Sequence, residues 1–175
     1  MPAGSRTTFV ADILRRHDKK TFDNSSIVAV GNTDDVKKLV DAFRSEGVRA
    51  VGVRDGGIGS AAADHLFSLP GGSAPEIVLL GPENIAAAEP LVNGVTAARA
   101  NAEMAAAAIS GASQRAKAIF PALANEMGLT IDQLRGYLTA AWMNSNATQV
   151  TKLVEAILTA LAWVSASVSH PSARC

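Results

Sequence analysis

The stretch IVAVGNTDDVKKLVDAFRSEGVRAVGVRDGG, residues 27–57, decides how this chain is read. IVAVG, residues 27–31, is a short apolar, β-branched run stopped by glycine, the pattern of a buried strand. Asn32 or Thr33 can cap the helix that follows, Asp34 and Asp35 fall in its first turn, and Gly47 ends it. Val36, Leu39, Val40 and Phe43 form its apolar stripe, and VRAVGVRD, residues 48–55, reads as a second strand. Strand, helix and strand in so short a length predict a right-handed βαβ unit with parallel strands.

Working outward, RTTFVADILRRHDKK (residues 6–20) predicts an amphipathic helix with Phe9 and Ile13, Val10 and Leu14 at i,i+4 spacing. Its basic carboxyl end suits the helix dipole. Residues 56–76 are rich in glycine, serine and proline and are expected to form a long loop with one helical turn. EIVLLG, residues 76–81, is expected to be a third strand, and Pro82 suits the first position of a helix.

From about residue 94 alanine dominates, and alanine is the best helix former. Three further helices are expected after the one at 94–113. One carries Pro121, which predicts a kink or restart; one opens on Thr130 and Gln133 in capping-box spacing. The last presents Val150, Leu153, Val154, Ile157, Leu158 and Leu161 on one face. Trp142 and Trp163 read as core or interface. The expected fold class is α/β: a small parallel βαβ sheet of Rossmann-like type over residues 1–92, an all-α helical region over 93–164, and a flexible tail over 165–175.

Sixteen basic and sixteen acidic residues balance, so no global positive field argues for non-specific nucleic-acid binding. The one cysteine, Cys175, excludes an intramolecular disulfide and a cysteine metal cluster. No apolar run reaches membrane-spanning length and the amino terminus lacks a signal-peptide core, so a cytoplasmic protein is expected.

Asp55 is the residue with the most to say about chemistry. A strand-end Asp-x-Asp would set two carboxylates on the same side, close enough to share Mg²⁺. Here the triplet is Asp55, Gly56, Gly57. Glu76, Asp64 and His65 are the other candidate ligands, while an ordinary turn aspartate in water accounts for Asp55 equally well. The turn at Gly31, Asn32 and Thr33 could cradle a phosphate at a helix start, although it lacks the spacing of a dinucleotide fingerprint or a P-loop. His17, His65 and His170 lie far apart with no ligand spacing. The basic residues of RRHDKK, with Lys37, Lys38 and Arg44, read first as solvated helix faces.

Taken together, residues 6–57 followed by FSLPGGSAPE (residues 67–76) resemble the Toprim (topoisomerase–primase) nuclease domain, most closely that of the OLD-family (overcoming-lysogenisation-defect) ATP-dependent endonucleases. The resemblance extends over residues 6–160, and its motifs lie before residue 80. It implies that Asp55 stands at the first acid of the family's Asp-x-Asp and Glu76 at the glutamate after its LPG segment, as ligands of Mg²⁺. It also shows departures. The family's glutamate should lie just before the first helix, where this chain has Ala3, Gly4, Ser5 and Arg6. Gly57 replaces the second acid of Asp-x-Asp. Ser113, Gln114 and Arg115 stand where an acidic, histidine-containing motif is expected, and the Walker motifs are absent.

The resemblance therefore implies a degenerate, nuclease-related protein with no assigned catalytic residue. It would act as a binding or assembly module in DNA processing or phage defence. Its expected partner is a second copy or a larger nuclease/ATPase subunit, with DNA a further candidate and no membrane. Two alternatives stand beside it: an active Mg²⁺-dependent endonuclease whose ligands are completed in trans, and a small nucleotide-binding α/β domain.

Overall fold

The computed structural model describes residues 4–30 and 32–162. Nine α-helices and two strands are formed among them: α1 Gly4–His17, α2 Lys19–Asp23, α3 Thr33–Ser45, β1 Gly52–Arg54, β2 Leu66–Ser68, α4 Pro75–Leu79, α5 Pro82–Ala88, α6 Val95–Ala105, α7 Ala112–Glu126, α8 Ile131–Ser145 and α9 Ala147–Ala162. The chain is mixed α/β and mostly helical, with a two-stranded parallel sheet. Trp163, His170, Cys175 and the expected tail lie outside the described residues.

The helices follow from local chemistry. Asn32 caps α3, its side-chain oxygen accepting from the Asp35 N–H at 2.8 Å, and Gly47 beyond the helix adopts φ 76°. Thr130 and Gln133 form the expected capping box on α8, with reciprocal bonds of 3.1 and 2.9 Å. Pro82 opens α5. α7 runs unbroken through Pro121. The ring is on the exposed side and Lys117, whose carbonyl would have received the missing N–H, is only half-buried, so water can serve that carbonyl.

The sheet differs from expectation. Residues 27–30 form no strand, and Val28 is 57% exposed. β1 pairs instead with β2, in the register Gly52↔Leu66, Val53↔Phe67 and Arg54↔Ser68, inside the segment expected to be loop. Gly52 makes this possible. A Cβ there would lie 2.5 Å from Val36 Cγ1 and 2.6 Å from Leu66 Cδ2, so its absence lets α3 and β2 close on the strand. The expected strand at 76–81 is also corrected: it is α4 followed by the turn into α5. Pro75 at the first position and Glu76 in the first turn start a helix, and the apolar run is buried among helices instead of in a sheet.

One core joins the two halves. Phe9 and Ile13 of α1, Phe67 and Leu69 at β2, Leu79 of α4, Ile85 of α5 and the inner faces of α6 to α9 belong to a single buried cluster. Trp142 stacks at a tilt on Phe9, ring centroids 5.2 Å apart. Buried alanines such as Ala88, Ala98, Ala102 and Ala141 let the helices approach closely with few aromatic residues. Asn84 is one of the polar residues buried inside. It is 6% exposed, and its Nδ2 donates to the carbonyls of Leu79 (2.9 Å) and Leu138 (3.1 Å), joining the end of α4 to α8.

Replacing Asn84 by alanine leaves the Leu79 carbonyl at the end of α4 without its partner, removes the second donor to Leu138, and should cost about 1–3 kcal/mol in urea unfolding. Glu89 gives a pH-dependent counterpart. Its carboxylate accepts from the Thr96 hydroxyl (2.6 Å), the Thr96 N–H (2.9 Å) and the Gly94 N–H (2.6 Å) at the start of α6, which hold its pKa below the ordinary glutamate value. A carboxylate with a depressed folded-state pKa stabilises above its unfolded pKa, and the gain is lost as pH falls through the folded value. Thermal melts should show Glu89→Gln less stable than the parent at neutral pH, with the difference vanishing in acid.

Candidate functional site

Parallel pairing puts the carboxyl ends of β1 and β2 on one edge, the place where α/β sheets present ligands. Asp55 follows β1 directly at this edge and is half-buried. The loop behind it is tied down. Arg54 Nη2 donates to the Gly59 carbonyl at 2.6 Å, the Ser68 N–H donates to Ser60 Oγ at 2.9 Å, and the Ser68 hydroxyl donates to the Ile58 carbonyl. Asp55 therefore begins an anchored loop.

The segment leading to Glu76 lies against it. The Gly56 N–H donates to the Ser73 carbonyl at 3.3 Å. A Cβ on Gly56 would stand 2.5 Å from the Leu69 carbonyl oxygen and 2.8 Å from the Gly72 nitrogen. The structure thus brings together the stretches carrying Asp55 and Glu76. Glu76 itself occupies the first turn of α4 and is 8% exposed, where a metal-binding acid would face the edge. Both residues have interactions of their own within the protein.

The other candidates are dispersed. Asp64 pairs with Lys37 at 3.4 Å. The His65 backbone is left-handed at φ 57° and its carbonyl accepts from the Gly52 N–H at 2.9 Å, a structural duty. His17 Nε2 is 3.1 Å from the Thr151 hydroxyl. Arg115, in the Ser113 to Arg115 stretch, donates through Nε and Nη2 to the Ile109 carbonyl at 3.1 and 3.0 Å, closing the corner between α6 and α7. Among the described residues no three His, Cys, Asp or Glu side chains gather as a metal site. Mg²⁺ needs oxygen donors in octahedral array, and a half-buried Asp55 with a nearly buried Glu76 falls short of such a set.

Two further readings meet physical objections. The start of α3 carries Asp34 and Asp35 beside the capping Asn32, and two carboxylates there oppose a phosphate. Gly31, the first residue of that turn, lies outside the described residues. The basic residues of α3 have partners within the protein. Lys38 pairs with Asp35 at 3.3 Å, Lys37 with Asp41 at 3.1 Å, and Arg44 Nη1 donates to the Ala50 carbonyl at 2.9 Å. The bond to Asp41 is the main reason the Lys37 pKa lies above its ordinary value.

A cleft beside β1 was not expected from the sequence. A cleft of about 1080 Å³ opens between residues 25–30, α3, β1 and the end of α9, with Val36, Leu39, Val51, Val53 and Leu158 among its walls. Its signal in the sequence is the apolar stripe of α3, part of which faces the cleft because residues 27–30 form no strand beside it.

Compared with models of protein families, with curated proteins and with solved structures, the chain matches none. No helix among the described residues is long and apolar enough to cross a membrane.

The two glycines after Asp55 should respond differently. Gly56→Ala forces a Cβ against backbone atoms and should cost roughly 1–3 kcal/mol. Gly57→Ala meets nothing closer than the Gly72 oxygen at 3.6 Å and should leave the urea midpoint almost unchanged.

Proposed function

We propose that this chain is a Toprim-like protein related to the OLD-family nucleases, working as a binding or assembly module in DNA processing or phage defence. The observation that carries this reading is the placement of Asp55. It stands at the carboxyl end of a strand in a parallel pair, on a loop packed against the segment that leads to Glu76. This placement supports reading Asp55 as the counterpart of the family's first metal-binding acid, with Gly57 in place of the second.

Clustered carboxylates hold one or two metal ions for phosphodiester hydrolysis, which activate water and neutralise the phosphate. Asp55 with a nearly buried Glu76 makes a thin donor set for that task. The function then rests on association, with a second copy or a larger nuclease/ATPase subunit as partner and DNA as a further candidate. Light scattering across a concentration series is expected to give a mass at least twice that of one chain. A strict monomer throughout counts against self-association.

The ancestry has its own test. Space beside Gly57 admits a side chain, so Gly57→Asp should fold as the parent does and add the missing acid. Mn²⁺ binding followed by electron paramagnetic resonance should tighten by roughly tenfold or more over the parent. Unchanged binding in a folded variant refutes the Toprim-like assignment of Asp55 and Gly57.

The active-endonuclease reading draws on the same strand-end placement of Asp55. Plasmid nicking with Mg²⁺ or Mn²⁺ that disappears in Asp55→Ala would favour it over the module.

A further inference from the structure

The cleft beside β1 and the strandless segment that borders it fit one another. Among the described residues, 26–30 make no backbone hydrogen bond, though three of the five are β-branched aliphatics. Across the cleft, one edge of β1 has no backbone partner among the described residues. Gly52 N–H donates to the His65 carbonyl, and the Arg54 carbonyl accepts from the Leu69 N–H, so these residues face β2. In a parallel ladder the backbone groups of Val51 and Val53 then point the other way, toward the cleft that both line.

We propose that residues 26–30 are a strap that docks on the free edge of β1 as a third parallel strand and closes the apolar cleft. The connection is already in place, because α3 packs against β1 and would be the right-handed crossover between the two strands. The driving force is on the rim. Val28, Phe43 and Val48 are 57%, 38% and 50% exposed, and all three line the cleft that docking would fill. The strap is tethered by α2 before it and α3 after it, so it meets the edge at a high effective concentration that a separate ligand or peptide lacks. The inference concerns the free chain and does not depend on the function proposed above.

Hydrogen–deuterium exchange of the full chain, read by mass spectrometry, tests it. Amides within 26–30 are expected to exchange roughly a hundredfold slower than an unstructured peptide. Val28 and Ala29 are both exposed in the undocked strap, and successive N–H groups of a strand point to opposite edges. At least one of Val28→Pro and Ala29→Pro should therefore abolish that protection while leaving residues 66–68 and α8 protected. Wild-type exchange at the unstructured rate overturns the proposal. So does protection that arises only when an apolar probe such as 1-anilinonaphthalene-8-sulfonate is added, which would make the cleft a ligand site. Protection unaffected by either proline also overturns it.

Discussion

The fold depends on the packing of helices around α8. Leu134 and Leu138 on its inner face are fully buried, and α1, α4, α5, α7 and α9 all pack against it. Its start is fixed by the capping box, and its Leu138 carbonyl is held by Asn84 of α5. Because Asn84 also binds the Leu79 carbonyl, the end of α4 is placed by the same side chain. α4 in turn positions the residues before it, and the Ser73 carbonyl receives the Gly56 N–H. The edge with Asp55 is thus located by a relay that begins in the helical core. A core this poor in aromatic residues works because its alanines let helix axes approach, leaving Phe9, Phe120 and Trp142 to fill the larger spaces.

The starts of α3, α5 and α8 were legible because their signals are local, whereas α2 and α4 were not expected as helices and the helix expected over 94–113 stops at Ala105. Asn32, Thr130, Pro82 and Gly47 each act on backbone groups within one turn, and the periodic faces of α3, α8 and α9 need no knowledge of their partners. The strands were not legible for the opposite reason. IVAV and IVLL are short apolar runs, and periodicity alone cannot tell a buried strand from a buried helix at that length. In IVLL the deciding residues are Pro75 and Glu76, which suit a helix start and outweigh the β-branched character of Ile77 and Val78. β2 is three residues of ordinary propensity whose pairing depends on the missing Cβ of Gly52, a contact between segments distant in sequence.

The candidate site was legible in position and illegible in geometry. That Asp55 ends a strand follows from residues 51–55 alone. That Glu76 lies in the first turn of a helix, nearly buried, depends on how α4 packs against α7 and α8. The same holds for Asp64 and His65. Each looked available for a ligand, and each serves the fold: one in an ion pair with Lys37, the other through its backbone at β1. Residue type announces chemistry, but the competing structural use appears only once the chain is folded.

The pair Gly56 and Gly57 separates these two kinds of information. Gly56 is required by packing, since any side chain would meet the backbone at Leu69 and Gly72. Its presence therefore says nothing about chemistry. Gly57 is under no such demand: its nearest neighbour to a built Cβ is 3.6 Å away, ordinary contact distance. Sterics leave room for a Cβ there. A glycine in open space costs backbone entropy without relieving a clash. The identity of residue 57 is therefore not dictated by the contacts that fix Gly56, although the two glycines are neighbours in one turn.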